Sequence, residues 1–225
     1  PKVQVETWQM GKGHQALCLI HPVGGETVAY RTLASLVPED VTVVAISDPN
    51  LGPTPHPQSI AEKASAYLHA LWQALPSGSN ITLAGWSFGA WVAQDMAVQA
   101  AEAGQPMEGL TLIDPPDPAV GKKMGIYSRG EIEKALLYEL APRLRGSDGK
   151  GALATQVAPE LQSHLDKIVT CCDLNIKSMR GHVPKRLGTT PVKLYLARDK
   201  AVGLLVDPPA PQEQLGNWRG ILQRL

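Results

Sequence analysis

Ser87 lies in Gly85-Trp86-Ser87-Phe88-Gly89, between the apolar run Ile81-Thr82-Leu83-Ala84 and a second apolar run that begins Ala90-Trp91. A serine between two glycines, where a strand turns sharply into a helix, has its hydroxyl held above the sheet edge and can attack a carbonyl. Gly85 and Gly89 suit that turn because its backbone is strained and strand and helix pass closely. The plainer reading is a helix-capping serine, which the flanking pattern makes the weaker one. Serine is a poor nucleophile at neutral pH, so a base must take its proton and a third group must orient that base.

The orienting acid is expected on a loop at the carboxyl end of a neighbouring strand. Asp114 follows Gly109–Ile113 and opens Asp114-Pro115-Pro116-Asp117-Pro118, where the prolines would fix its direction. Asp199, after Val192–Ala197, is the rival, and Asp117 reads as a turn or capping aspartate. Asp114 is favoured. The oxyanion formed during attack needs backbone N–H donors in a water-poor pocket. Phe88, next to the nucleophile, supplies one. His21-Pro22-Val23-Gly24-Gly25, after the run Ala16–Ile20, suits the other, with Val23 as donor. The plainer reading there is a glycine turn with a structural His21, and His21 is not assigned as the base.

In an α/β-hydrolase, the fold that carries this strand–serine–helix turn, the chain order is Ser, acid, His, with the histidine after the last sheet strand. The six histidines are His14, His21, His56, His69, His164 and His182, all before Val192–Ala197. The catalytic histidine is therefore expected to be missing from these residues. The chain reads as cut short at its C-terminus, ending within a helix over Gly220–Leu225; a lost hydrolytic function is the competing explanation.

The elements that must position these groups follow from hydrophobic pattern. Val3–Met10 reads as a first strand, followed by Ala16–Ile20, Val41–Ile46, Asn80–Ala84, Gly109–Ile113 and Val192–Ala197. Most are continuously apolar, as parallel strands are when helices cover both faces. Ser59–Leu75 predicts a helix with Ile60, Ala64, Leu68, Leu71 and Leu75 on one face and a Ser59/Glu62 capping box. Phe88–Ala103 predicts the next helix, stopped before Gly104-Gln105-Pro106. The alternation predicts a doubly wound, mostly parallel sheet.

Between about 119 and 182 the rhythm changes. Ser128 and Glu131 form a second capping pattern, opening a helix with Ile132, Leu136, Leu137 and Leu140 on one side. A polar, glycine-rich break is expected at Arg145–Gly151, and a further helix at Pro159–Met179. A helical insertion here would sit as a lid over the site. The expectation is one domain over residues 1–225.

With 21 Lys+Arg against 21 Asp+Glu, net charge gives no support to a nucleic-acid or anionic-membrane partner. No apolar run could span a bilayer. Pro1 opens no leader, so the chain reads as an excised domain, with the cytoplasm as its default compartment. Three cysteines, two of them the adjacent Cys171-Cys172, suggest neither a disulfide framework nor a metal site, and Cys18 reads as a core residue.

Together, His21-Pro22-Val23-Gly24-Gly25, Gly85-Trp86-Ser87-Phe88-Gly89, Leu112-Ile113-Asp114 and Pro191-Val192-Lys193-Leu194 resemble the thioesterase domains of nonribosomal peptide and polyketide synthetases. The resemblance implies Ser87 as acyl acceptor, Asp114 as acid and Val23 with Phe88 as oxyanion donors. It implies no cofactor of the domain's own. The substrate would be an acyl or peptidyl chain on the phosphopantetheine of a carrier protein domain in the same polypeptide, released by hydrolysis or macrocyclisation. A general carboxylesterase or lipase, and a non-catalytic acyl-binding domain lacking its base, are the alternatives.

Overall fold

A computed structural model describes residues 2–144, 159–198 and 210–222. Six strands form one sheet: β1 Val5–Gln9, β2 Gln15–Ile20, β3 Thr42–Ile46, β4 Asn80–Trp86, β5 Gly109–Ile113 and β6 Val192–Tyr195, in the order β1-β3-β2-β4-β5-β6. β1 pairs antiparallel with β3 at one edge; the other pairings are parallel. The doubly wound, mostly parallel sheet is therefore present, and with it the α/β-hydrolase fold. Every residue of β3 is buried, the pattern expected of a strand covered on both faces.

The helices are α1 Arg31–Ala34, α2 Ile60–Ala74, α3 Phe88–Glu102, α4 Val120–Lys123, α5 Arg129–Leu144, α6 Pro159–Met179 and α7 Pro211–Arg219. Ser59 and Glu62 make the reciprocal capping box that starts α2, and Ser128 and Glu131 exchange the same bonds at α5. The α2 stripe Ile60, Ala64, Leu68, Leu71 and Leu75 is buried in the main core with Leu83, Trp91 and Leu112. Three helices, α4 to α6, lie between β5 and β6 in the chain. Ile132 of α5 packs with Leu165, Val169, Cys172 and Ile176 of α6 in a core of their own, to which Leu136 adds a half-buried face. Leu137 and Leu140, the Arg145–Gly151 break and Asp199 lie outside the described side chains and residues.

The expected helix over Gly220–Leu225 is not what residues 220–222 form. α7 ends at Arg219 with Gly220 as its cap. The Leu187 N–H then takes the Ile221 carbonyl at 3.3 Å, and Leu222 bridges Leu187 in parallel. The Ile221 and Leu222 N–H groups still close on the Trp218 carbonyl, both at 2.9 Å, but the Ile221 carbonyl is taken by Leu187 and Leu222 is buried, only 2% exposed.

Candidate active site

The order β3-β2-β4-β5 brings the carboxyl ends of four neighbouring strands to one edge, where ligands of open α/β sheets bind. Each contributes a loop: Asp48 after β3, His21–Gly25 after β2, Ser87 after β4 and Asp114 after β5.

Ser87 has φ 53° and ψ −124° and makes no side-chain capping bond to α3. Its hydroxyl is thus not spent on the role that a capping serine would play. A Cβ on Gly85 would stand 2.2 Å from the Gly89 carbonyl oxygen, and one on Gly89 2.4 Å from the His21 oxygen. The first contact makes the tight turn possible. The second seats the start of α3 directly on the end of β2, which puts Phe88 beside the His21–Gly25 loop. The Phe88 ring stacks on His21 at 5.8 Å. As the first residue of α3, Phe88 has an N–H without an intrahelical acceptor, at the positive end of the helix dipole. Val23 lies in the turn closed by the Gly25 N–H on the Pro22 carbonyl, 2.9 Å.

Between β2 and β4 the ladder ends at Ile20 and Gly85. One residue on, the Tyr30 hydroxyl spans the gap, donating to the Ile20 carbonyl at 2.7 Å and accepting from the Trp86 N–H at 2.6 Å. It is a buried bridge directly beneath the elbow.

Asp114 has φ 41°. Its amide donates to the Tyr195 carbonyl at 2.6 Å, and its Oδ1 accepts from the Ala197 N–H at 3.2 Å, turning the carboxylate towards the end of β6. The proline-rich loop behind it is held by its carbonyls. The indole N–H groups of Trp91 and Trp218 both donate to the Pro116 carbonyl, at 3.1 and 3.2 Å, and the Gln214 amide donates to that of Pro115. Asp117 accepts from the Ala119 N–H and from Asn217, at 2.8 and 2.7 Å, which fits a turn role and ties α7 to this loop.

Under the His21–Gly25 loop lies a buried polar cluster. Lys63 Nζ donates to both oxygens of Asp48, at 3.0 and 2.8 Å, and the Asn50 N–H donates at 2.9 Å. Burial pushes the Asp48 carboxyl up, but the facing His21 and Lys63 and these hydrogen bonds bring it down to about 2. Burial lowers His21, with Lys63 adding to that and Asp48 opposing it. Near pH 7 Lys63 is therefore the standing counter-charge, and His21 adds its positive charge beside Asp48 only once acid protonates it. His21 Nε2 is 2.7 Å from the Tyr67 hydroxyl and its Nδ1 2.7 Å from the Pro22 carbonyl, so both ring nitrogens are engaged.

The other histidines stand elsewhere. His182 faces Asp95 at 4.0 Å, two turns along α3 from Ser87, and packs on Trp91. His164 pairs with Glu26 at 3.0 Å and His69 contacts Gln73. None hydrogen-bonds Ser87 among the described residues.

Sequence pattern did not single out Tyr30, Asp48, Lys63 or Asn175. One signal was present: Lys63 falls on the apolar stripe of α2, one position before Ala64, where a charge is out of place unless paired.

A family model described as Thioesterase domain matches residues 15–187, from β2 through the elbow and β5 to the end of the helical insertion. The chain belongs to the thioesterase domain family. Its relatives include the bikaverin polyketide synthase bik1 of Gibberella fujikuroi, 26% identical over 211 residues, which cover 92% of this chain and 10% of that protein. Nonribosomal peptide synthetase btyA of Aspergillus terreus is 35% identical over 102 residues, 45% of this chain and 11% of that protein. This thioesterase domain thus spans about a tenth of the length of these multidomain relatives. Among solved structures, the NocB thioesterase domain in covalent complex with a fluorophosphonate nocardicin G analogue is similar. It is 24% identical, with a TM-score of 0.71 over 99% of this chain and 87% of that one. That likeness shows a shared fold.

Proposed function

We propose that this thioesterase domain releases an acyl or peptidyl chain from the phosphopantetheine thioester of a carrier protein domain, by way of a Ser87 ester. The observation that carries this reading is the meeting of Val23, Ser87 with Phe88, and Asp114 at the ends of three adjacent parallel strands. In the first stage the Ser87 oxygen adds to the thioester carbon and the tetrahedral adduct then collapses with rupture of the C–S bond; the serine proton passes through a base to the departing thiolate. The tetrahedral oxyanion is met by the Val23 and Phe88 N–H groups, and Asp114 orients the base. In the second stage water, or a hydroxyl or amine of the chain itself, attacks the ester carbon, the C–O bond to Ser87 breaks, and the nucleophile's proton passes through the base to the Ser87 oxygen. Water yields the acid; an internal nucleophile yields a ring. The helices between β5 and β6 would act as the lid that excludes water and folds the chain.

The test is treatment of the natural full-length protein with a fluorophosphonate and, separately, with an acyl thioester carried on its own carrier domain. A Ser87 adduct together with carrier-dependent product supports the reading. An adduct with equal turnover of free esters points to a general carboxylesterase, and no adduct at Ser87 overturns an acyl-enzyme. One observation favours a second reading, an acyl-binding domain without turnover: no histidine hydrogen-bonds Ser87 among the described residues. Binding of the thioester without product would support it.

A further inference from the structure

One face of α6 is occupied by the loop assigned to the oxyanion. Its residues 164, 168, 171 and 175 recur at helical spacing along a single stripe. His164 pairs with Glu26 at 3.0 Å. Ile168 lies 3.5 Å from where a Cβ on Gly24 would be, and Cys171 Sγ 2.6 Å from one on Gly25, a residue with φ +86° that admits only glycine at this approach. Asn175 Nδ2 donates to the Val23 carbonyl at 2.9 Å and to Asp48 Oδ2 at 2.9 Å. Asp48 closes the circuit, its own N–H donating to the Gly25 carbonyl at 2.8 Å.

The orientation of the Asn175 amide is dictated by chemistry. Flipped, its oxygen would face an ionised carboxylate and a carbonyl, two acceptors with nothing to accept from it. In the orientation present, Asn175 Oδ1 is buried without a hydrogen-bond partner among the described residues. An apolar residue of the same size would avoid that cost, so packing alone does not account for an amide here. Its N–H groups do the work: they fix the Val23–Gly24 peptide and, through the shared Cα of Val23, the direction of the adjoining Val23 N–H.

We propose that α6 braces the oxyanion loop and that Asn175 is its positioning residue, holding the Val23 N–H in line for the developing oxyanion. This rests on the reading of Val23 as an oxyanion donor. The helix that looks like a lid from its place in the chain is then, along this stripe, part of the catalytic framework. A lid movement that leaves the framework intact must occur elsewhere in the insertion.

The test compares Asn175→Leu and Asn175→His in the natural full-length protein. Asn175→Leu keeps the branched heavy-atom shape, with bulkier methyl ends, and removes the donor; Asn175→His returns a ring N–H at nearly the same point. For Asn175→Leu the expected result is fluorophosphonate labelling of Ser87 slowed by about 10- to 100-fold, since a displaced donor costs part of what a deleted one does. kcat for a small acyl thioester should fall in step while KM changes by less than about twofold, because the oxyanion exists only in the transition state. Asn175→His should recover most of both. A folded Asn175→Leu protein that labels at the parent rate overturns the brace and leaves the acyl-enzyme reading standing.

Amide hydrogen exchange on the unsubstituted protein gives a readout independent of folding of the variants and of catalysis. The amides of residues 23–26 and of α6 should open as one cooperative unit. Independent opening overturns the brace even if Ser87 proves reactive. If the parent forms no Ser87 adduct, the acyl-enzyme reading falls, and the exchange result still decides the brace.

Discussion

The Ser87 N–H donates to the carbonyl of Ile113 across 2.9 Å, joining the elbow to the residue before Asp114. Ser87 and Asp114 are also the two non-glycine residues with positive φ among the described residues. Each such backbone costs on the order of 1–3 kcal/mol and persists only where its surroundings enforce it. Here the enforcement is visible: Gly85 against Gly89 behind Ser87, and the Tyr195 and Ala197 backbone around Asp114. Strain at two adjacent strand ends, on the two residues that chemistry would need, is the pattern of a site held ready.

Asp114→Asn should leave the fold intact and lower kcat for thioester release by on the order of 10³- to 10⁴-fold, because an amide cannot hold the base in its productive tautomer. Steady-state kinetics on the carrier-bound substrate checks this. Parent-level turnover by Asp114→Asn would remove Asp114 from the acid role and turn attention to Asp199.

Gly85→Ala brings a methyl group against the Gly89 carbonyl, backbone on backbone, with no flexible side chain to yield. The expected cost is about 3 kcal/mol or more, at the upper end of overpacking. Gly188, whose Cβ position meets nothing within 4 Å, is the matched control, and its alanine variant should stay within about 0.5 kcal/mol. Urea unfolding of the two variants side by side decides it.

Lys63→Met would leave the Asp48 carboxylate buried without its cation. Both side chains are fully shielded from solvent, so the expected loss is about 3–5 kcal/mol. Adding Asp48→Asn to Lys63→Met should restore part of that stability, since no uncompensated charge then remains. Additive losses in the double variant would count against a coupled pair.

The same cluster predicts a falling stability on acidification. Asp48 is held below its ordinary 3.8, at about 2. Its contribution, about 2 kcal/mol, is complete above pH 3.8 and is lost as pH falls towards 2. His21 is held below 6.5, so unfolding takes up a proton below pH 6.5, and stability drops by up to about 1.4 kcal/mol per pH unit there. The Tm should therefore decline from pH 6.5 downwards, with the decline between pH 6.5 and 5 flattened in His21→Asn. A Tm that rises over that interval contradicts a neutral His21.

Tyr30→Phe removes the hydroxyl that joins the Ile20 carbonyl to the Trp86 N–H. Two backbone groups lose their partner, at about 1–3 kcal/mol. Because Trp86 precedes Ser87, fluorophosphonate labelling should slow as well. Unchanged labelling in a destabilised Tyr30→Phe would confine its role to holding β2 and β4 together.

Much of this was legible along the chain because it is local. The strand and helix periodicities, the capping boxes at Ser59 and Ser128, and the Gly-x-Ser-x-Gly turn each depend on residues within a few positions of one another. Thus α2, α3, α6 and the core strands fall within a residue or two of their expected bounds. The helix expected from Gly220 does not run on through residues 220–222, because Leu187, distant in sequence, takes the Ile221 carbonyl.

What the sequence by itself determined is the fold class, the elbow and the kinds of group that could react. What only the tertiary structure decided is how they are held. Strand order set the loops of His21–Gly25, Ser87 and Asp114 side by side. The burial of Asp48 demanded Lys63 from α2, and Asn175 from α6 reached Val23 across 152 positions of chain. Burying a charge or a carbonyl makes its partner obligatory, but the partner's identity depends on what folding brings within about 3 Å, and no local pattern records that.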